Sequence, residues 1–206
     1  GKTLRVALVH DWLVTYRGGE KVLEAIMGMF PDAPVFTLFY DPGKMPQSIV
    51  RRDIRVSPML NALKSLRKPL LPLLPRAIEA IDLRDYELVV STSSCVAKGV
   101  KTAPKSAHIS YVHSPMRYIW DQQQEYVRHL PAVPGLPWAI DAIAERLRKW
   151  DVASSQAIDA IVVNSNFVRE RVQKCYGRDA QVVHPPVAVE RFANLRRGQS
   201  HEPYAL

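Results

Sequence analysis

The chain has 206 residues, of which 47% are hydrophobic and 23% are charged. This composition is typical of globular proteins, and the length is sufficient for one large domain with its own hydrophobic core. The formal net charge of +8 favours an anionic partner: nucleic acid, an anionic membrane surface or a phosphorylated small ligand. Zinc-finger spacing, RNP-like aromatic strands and basic-region heptads are missing from the sequence, which argues against nucleic acid. The sequence also has no apolar run of transmembrane length and no signal-peptide pattern.

Residues 4–30 predict a strand, a ligand-binding loop and a helix. Residues 6–9 are apolar and β-branched, as in a buried strand. Apolar side chains with helical spacing follow at Val22, Leu23, Ile26, Met29 and Phe30. Gly18 and Gly19 end the polar loop between them, where glycine permits unusual dihedral angles and the close approach of a ligand. The first amides of the helix would attract an anion. The pattern is neither G-x-G-x-x-G nor a Walker loop, and a simple glycine turn remains the alternative.

A leucine-rich basic segment spans residues 59–76, after a predicted strand at residues 34–40. Its prolines interrupt any continuous helix, so we expect two short helices joined by a bend. The leucines are interleaved with four basic residues, Lys64, Arg67, Lys68 and Arg76. The segment either packs its leucines on the sheet and exposes its charges to water, or lies on anionic lipid headgroups.

Three later strands are each predicted to end in polar residues that suit a ligand site. These polar positions are Ser93 and Ser94 in a hydroxyl-rich loop after residues 87–91, His113 after residues 107–112, and Asn164 with Ser165 after residues 160–163. An unusually polar and aromatic group, comprising Arg117, Tyr118, Trp120 and Asp121, follows His113 within the same short segment. A histidine directly after a buried strand, followed by Ser-Pro at the start of a helix, lies at the edge of the sheet where ligands bind.

The order of the remaining elements predicts an α/β fold. We expect helices at residues 140–157 and 167–176, the second ended by Gly177, a proline-rich loop at residues 122–137, and a last strand at residues 181–187. Strands of the buried type alternate with helices, which indicates a Rossmann-like, mostly parallel sheet with helices on both faces. Ligands bind beyond the carboxyl ends of such strands. The glycine pair, the serines, His113 and Asn164 are therefore expected to converge at one edge.

Four groups of residues, in this order and spacing, cover nearly the whole chain. They are Val9-His-Asp-Trp12 with Gly18-Gly-Glu20, Tyr111-Val-His-Ser-Pro115 with Arg117-Tyr-Ile-Trp-Asp121, Val163-Asn-Ser165 with Arg169, and Val183-His-Pro-Pro-Val187 before Phe192. Together they resemble the N-terminal, acceptor-side half of a retaining glycosyltransferase of family 4. The resemblance is greatest to bacterial mannosyltransferases that build O-antigen and exopolysaccharide. It implies one half of a GT-B fold, in which two Rossmann-like domains face each other across a cleft.

The resemblance implies a role for each candidate residue. Gly18 and Gly19 would reach the diphosphate and the reacting sugar of the donor, and His113 would lie beside that sugar as the catalytic residue. The acceptor would be bound by Asp11, Trp12, Arg117 and Tyr118, and the rest of the cleft would be lined by Ser93, Asn164 and Ser165. The reaction would retain the anomeric configuration and use no metal or cofactor, since helix dipoles and basic side chains stabilise the leaving diphosphate.

The resemblance also implies a domain organisation and partners. Residues 1–187 would form the N-terminal domain, and residues 188–206 would lead to a C-terminal domain that binds the nucleotide sugar, so we expect the chain alone to be inactive. The donor would be a nucleotide sugar such as GDP-mannose, and the acceptor a lipid-linked saccharide. The protein would be cytoplasmic, with peripheral contact of residues 59–76 to the inner face of the plasma membrane. Cys95 and Cys175 lack metal-ligand spacing and are expected to be buried free thiols of a reducing compartment.

Other classes of protein remain open at this point. A non-catalytic binding module for a phosphorylated or lipid-linked sugar would show useful affinity without a second domain. A sugar-nucleotide epimerase of the GT-B architecture would need carboxylates at the cleft. A nucleotide-binding Rossmann domain would need a dinucleotide fingerprint, which the sequence lacks. The sequence also gives no sign of carboxylates at the predicted cleft, apart from Asp11 on the acceptor side.

Overall fold

A computed structural model describes residues 4–121 and 136–186. Seven strands form one sheet in the order β3-β2-β1-β4-β5-β6-β7, and each neighbouring pair is parallel. The strands are β1 (Val6–His10), β2 (Val35–Thr37), β3 (Ile54–Arg55), β4 (Leu88–Ser93), β5 (Ala107–Val112), β6 (Ala160–Val163) and β7 (Gln181–Val182). The predicted α/β, Rossmann-like fold is confirmed, and the sheet is wholly parallel over the described residues.

Helices or 3-10 turns separate the strands along the described residues. The helices are α1 (Gly18–Met29), α2 (Gln47–Val50), α3 (Pro58–Ala62), α4 (Leu74–Glu79), α5 (Arg117–Trp120), α6 (Leu136–Gln156) and α7 (Asn166–Tyr176). Short 3-10 turns cover Pro42–Lys44, Lys64–Leu66, Leu71–Leu73 and Ala97–Gly99. The predicted end of α7 is confirmed, because Gly177 adopts a left-handed conformation with φ of 64°. Glycine takes this conformation without the penalty of a Cβ atom.

Helices cover both faces of the sheet, as the sequence predicts. In β1, Val6 and Leu8 pack in one cluster with side chains of α1, whereas Ala7 and Val9 pack in a second cluster with side chains of α4 and α6. This division follows from the strand geometry, in which successive side chains point to opposite faces. A third cluster joins β6 to α7. With both faces covered, ligands can reach the backbone only at the ends of the strands.

Residues 59–76 differ from the prediction of two helices joined by a bend. They form the greater part of α3, two 3-10 turns and the beginning of α4. Prolines at positions 69, 72 and 75 remove amide donors at short intervals, so no helix continues for more than two turns. The core-packing interpretation holds for only some of the leucines, and the contact with lipid headgroups stays a prediction. Leu71 and Leu74 are buried in the core, whereas Met59, Leu63, Leu66 and Leu73 are exposed.

Several predicted boundaries are also wrong. The second strand ends at Thr37, and only a single bridge from Leu13 to Tyr40 continues the parallel pairing. Ser93, predicted to lie in a loop, is the last residue of β4. Of the predicted loop at 122–137, residues 122–135 lie outside the described ranges, and α6 already begins at Leu136. The predicted domain boundary at 187–188 also lies outside these ranges and stays a prediction.

Two further findings concern the membrane and the thiols. None of the helices in the described ranges is both long and apolar enough to span a bilayer. Cys95 and Cys175 are free, as predicted, but only Cys95 is fully buried. Burial raises the pKa of both thiols, most strongly for Cys95. Thiols that stay protonated at neutral pH are poor nucleophiles.

Candidate active site

A cleft of about 510 Å³ lies at the carboxyl edge of the sheet. It is lined by residues that follow β1, β4, β5 and β6, together with the first turn of α1. The predicted site residues that line it are Asp11, Trp12, Gly18, Gly19, His113, Arg117, Tyr118 and Asn164. The structure thus brings together residues from separate stretches of the sequence, and of the predicted convergence the glycine pair, Ser94, His113 and Asn164 line the cleft. Ser93 and Ser165 do not line this cleft.

The two glycines belong to the first turn of α1 rather than to a loop. The expectation of unusual dihedral angles is wrong, because neither glycine has a positive φ. Gly19 matters instead because it has no side chain that would occupy the space next to His113. A Cβ atom at Gly19 would lie 3.4 Å from Nε2 of His113, whereas a Cβ at Gly18 would have no neighbour within 4 Å. Gly19 and His113 thus lie next to each other in the lining of the cleft.

The imidazole of His113 follows β5 and is partly buried beside the ring of Tyr111, with 5.1 Å between ring centroids. Its Nε2 atom is buried, and none of the described residues hydrogen-bonds to it. Burial, together with the nearby His10, lowers the pKa of His113 to about 4. The ring is therefore neutral at physiological pH. In a neutral imidazole, Nε2 can donate or accept one hydrogen bond with a ligand, depending on the tautomer.

A buried group of polar side chains, formed by Glu20, His10 and Thr92, was not predicted, and two of its members line the cleft. Glu20, in the first turn of α1, accepts a hydrogen bond from the Arg17 amide, and its other oxygen lies 3.2 Å from Nε2 of His10. Nδ1 of His10 lies 2.6 Å from the hydroxyl of Thr92 in β4. Although burial opposes it, the contact with His10 and the Arg17 amide lower the pKa of Glu20. This group fixes the start of α1, and hence Gly19, to the ends of β1 and β4.

Asp11 lines the cleft, but its carboxylate is hydrogen-bonded to the protein backbone. Its oxygens accept hydrogen bonds from four consecutive amides, those of Ser94, Cys95, Val96 and Ala97, at 2.6 to 3.0 Å. A carboxylate that receives several amide donors is held in one position. Asp11 therefore orders the loop after β4, and the acceptor contact expected for it stays a prediction.

Arg117, Tyr118 and Trp12 also line the cleft. Arg117 and Tyr118 lie on α5, a helix of a single turn that cannot be stable alone. Trp120 of the same helix donates a hydrogen bond from its indole to Asp151 of α6, at 2.8 Å. Asp151 is fully buried and also pairs with the ammonium of Lys98, which is 2% exposed. The buried pair therefore anchors α5.

The remaining predicted residues have different surroundings. Asn164 lines the cleft, and its backbone oxygen lies 3.0 Å from Nδ1 of His184. Ser165 caps α7 by accepting a hydrogen bond from the Val168 amide. The hydroxyl of Ser93 is buried without a hydrogen-bond partner among the described residues. Its place in the cleft is thus not supported.

A comparison with profiles of known families identifies the family of this chain. The family profile described as Glycosyltransferase Family 4 matches residues 20–191, which is most of the sequence. The chain belongs to glycosyltransferase family 4. The comparison with curated proteins found no match. The matched region includes Glu20, His113, Arg117 and Asn164 of the cleft, whereas Asp11 and Gly19 precede it.

The polar groups of the cleft also bear on whether it could act as an epimerase or hold a metal ion. Asp11 and Glu20 bring two carboxylates to it, so the sequence-based view of a cleft with hardly any carboxylates is wrong. Both are held by hydrogen bonds within the protein, which leaves them poorly placed to shuttle protons for an epimerase. Across residues 4–121 and 136–186, no group of three or more His, Cys, Asp or Glu side chains is arranged to hold a metal ion. Independence from metal stays a prediction.

Proposed function

We propose that this family 4 chain forms the acceptor-side half of a retaining mannosyltransferase that acts on a lipid-linked saccharide. The donor is a nucleotide sugar such as GDP-mannose, and no metal takes part. The observation that carries the proposal is the unpartnered Nε2 of His113, which faces Gly19 inside the cleft. A buried polar atom without a partner is costly for a protein. A sugar hydroxyl that hydrogen-bonds to this nitrogen would remove that cost.

The residues of the cleft divide into two sides. On the donor side, the narrow approach at Gly18 and Gly19 admits the sugar and diphosphate to within contact of His113. The partial positive charge at the start of α1 and the exposed Arg17 stabilise charge that develops on the leaving diphosphate. On the acceptor side, Trp12 and Tyr118 supply apolar faces and Arg117 supplies a cation. His113, held neutral, orients the reacting sugar by a hydrogen bond.

The exposed part of residues 59–76 is the proposed contact with the membrane. Met59 is 82% exposed, Leu66 51% and Leu73 58%, and these side chains are accompanied by the four basic residues named above. Arg67 and Lys68 also share a small cavity with Trp12 and Tyr118 of the cleft wall. The basic segment thus lies next to the acceptor side. Each cation near an anionic leaflet contributes about 1 kcal/mol of attraction.

Vesicle pelleting tests the membrane contact. The chain should pellet with anionic vesicles and not with neutral ones, and binding should weaken with salt. Changing Lys64, Arg67, Lys68 and Arg76 to Gln should release it. A variant with Gln at four exposed cations elsewhere (Arg84, Lys101, Lys149 and Lys174) removes the same charge and should still bind. Equal recovery of the chain with neutral and anionic vesicles would contradict the contact.

A sugar-transfer assay tests the function itself. Radiolabelled mannose from GDP-mannose should appear on an undecaprenyl-diphosphate-linked saccharide when this chain is joined to a family 4 donor-binding domain. The 206-residue chain alone should give no product. Product formed by the chain alone would contradict the proposal that this chain binds the acceptor and a second domain binds the donor. Tight saccharide binding without transfer in either form would instead favour the alternative, a non-catalytic binding module.

A further inference from the structure

A second groove of about 400 Å³ opens beside the cleft. The two share His113, Ser114, Arg117 and Asn164, so they form one continuous surface. A ligand that extends beyond His113, away from Trp12, enters this groove. Its volume falls within the range of about 300–1,000 Å³ that is usual for small-molecule sites.

An exposed aromatic ring lies at this groove. Phe167, in the first turn of α7, is 68% exposed, although phenylalanine is usually buried. The guanidinium of Arg171 lies over this ring, 5.9 Å from its centroid. Arg171 in turn donates a hydrogen bond to Asp121, which follows α5. These contacts position the ring while most of it remains accessible.

The polar groups of the groove suit a ligand that carries several hydroxyl groups. Ser165 already caps α7, and Asp121 offsets the charge of Arg171. What remains is an aromatic ring beside the Asp121 carboxylate, the Asn164 amide and two guanidinium groups, those of Arg117 and Arg171. Such a set suits a pyranose, whose C–H face packs on the ring while its hydroxyls exchange hydrogen bonds with the polar groups.

We propose that this groove, centred on Phe167, Arg171 and Asp121, binds a sugar unit of the acceptor that lies beyond the reacting one. The inference rests on the proposed function in one respect, because it takes the acceptor to be a saccharide of more than one unit. It would make Phe167 a determinant of acceptor length. The test is a binding measurement, so its outcome is independent of sugar transfer.

The experiment titrates the 206-residue chain with methyl α-mannoside, α-linked mannobiose and α-linked mannotriose, and follows binding by NMR. Mannotriose should bind more tightly than methyl α-mannoside. Phe167→Ala should weaken mannotriose binding about three- to tenfold and leave methyl α-mannoside binding within a factor of about two. Phe167→Trp should restore mannotriose binding. Trp138→Ala, a control at a 77% exposed aromatic outside the groove, should change neither affinity.

Several outcomes would overturn the inference. Equal affinity of wild type and Phe167→Ala for mannotriose, or no gain in affinity with saccharide length, excludes the subsite. Loss of folding in Phe167→Ala, seen by circular dichroism, assigns the ring to the core instead. If pyrophosphate but not mannotriose shifts the NMR signals of the groove residues, the groove is an anion site. Failure of the transfer assay with length-dependent binding intact would contradict only the proposed function.

Discussion

Gly19 and His113 are neighbours in the lining of the cleft, so close that any side chain at position 19 would contact the imidazole. A Cβ at Gly19 would already stand at 3.4 Å from Nε2 of His113. Gly19→Val should therefore fold but fill the space in front of His113, and we expect a loss of transfer of at least about 100-fold. Gly18→Val is the matched control, since Gly18 has no neighbour within 4 Å. Equal loss in both variants, measured as initial rates, would show that the glycines matter to helix α1 rather than to the site.

The packing of Gly99 against Trp150 predicts a sharp effect on stability. A Cβ at Gly99 would lie 2.3 Å from Cζ2 of the Trp150 indole, and this ring is held by a hydrogen bond to Glu79. Gly99→Ala should lower the free energy of unfolding by about 1–3 kcal/mol, measured by urea denaturation. Gly28→Ala, in helix α1 with nothing within 4 Å, should instead raise it by about 0.5–1 kcal/mol. Unchanged stability of Gly99→Ala would contradict the close packing.

The buried Lys98–Asp151 pair predicts strong coupling between the two residues. Lys98→Met should cost about 3–5 kcal/mol of unfolding free energy, because it leaves the Asp151 carboxylate buried without its cation. In a double-mutant cycle, adding Asp151→Leu should cost far less in the Lys98→Met background than in the wild type. Lys149→Met, at an exposed position of α6, should stay within about 0.5 kcal/mol of wild type. Additive effects of the two core changes would refute the coupling.

Two histidines, the buried His108 and the partly buried His113, predict how stability depends on pH. Burial lowers the pKa of both His108 and His113 to about 4, below the ordinary value of 6.5. Between pH 6.5 and 4 the unfolded chain therefore binds more protons than the folded chain, so the free energy of unfolding should fall as the pH is lowered through this window. His113→Gln should make that fall shallower. NMR titration of the His113 ring with a midpoint near 6.5 would contradict the prediction.

The sequence predicted the features that depend on local pattern. The alternation of buried strands and helices predicted the parallel sheet. The polar residues at the strand ends predicted that His113 and Asn164 lie at the cleft. The sequence did not predict the contacts that only the fold creates. A glutamate at the start of a helix is already accounted for by the helix dipole. The sequence pattern therefore gave no reason to expect that Glu20 contacts His10 on a strand. Lys98 and Asp151 are 53 positions apart, and an isolated lysine between loops resembles a surface residue.

The leucines of residues 59–76 show the same limit. Each has the same chemistry and similar neighbours in the sequence, yet Leu74 is buried and Leu73 is exposed. Their burial depends on which side of each short turn faces the sheet, and the closely spaced prolines make that side unpredictable from a helical repeat.

The most direct test of the account is the rate of sugar transfer by His113→Ala, in the protein that joins this chain to a donor-binding domain. The ring of His113 is only partly buried, so the variant should fold, which a matching circular dichroism spectrum and melting temperature would verify. If Nε2 of His113 orients the reacting sugar, kcat should fall by about 10²- to 10⁴-fold. A turnover within a factor of about two of wild type would contradict the central claim and return His113 to a purely structural role.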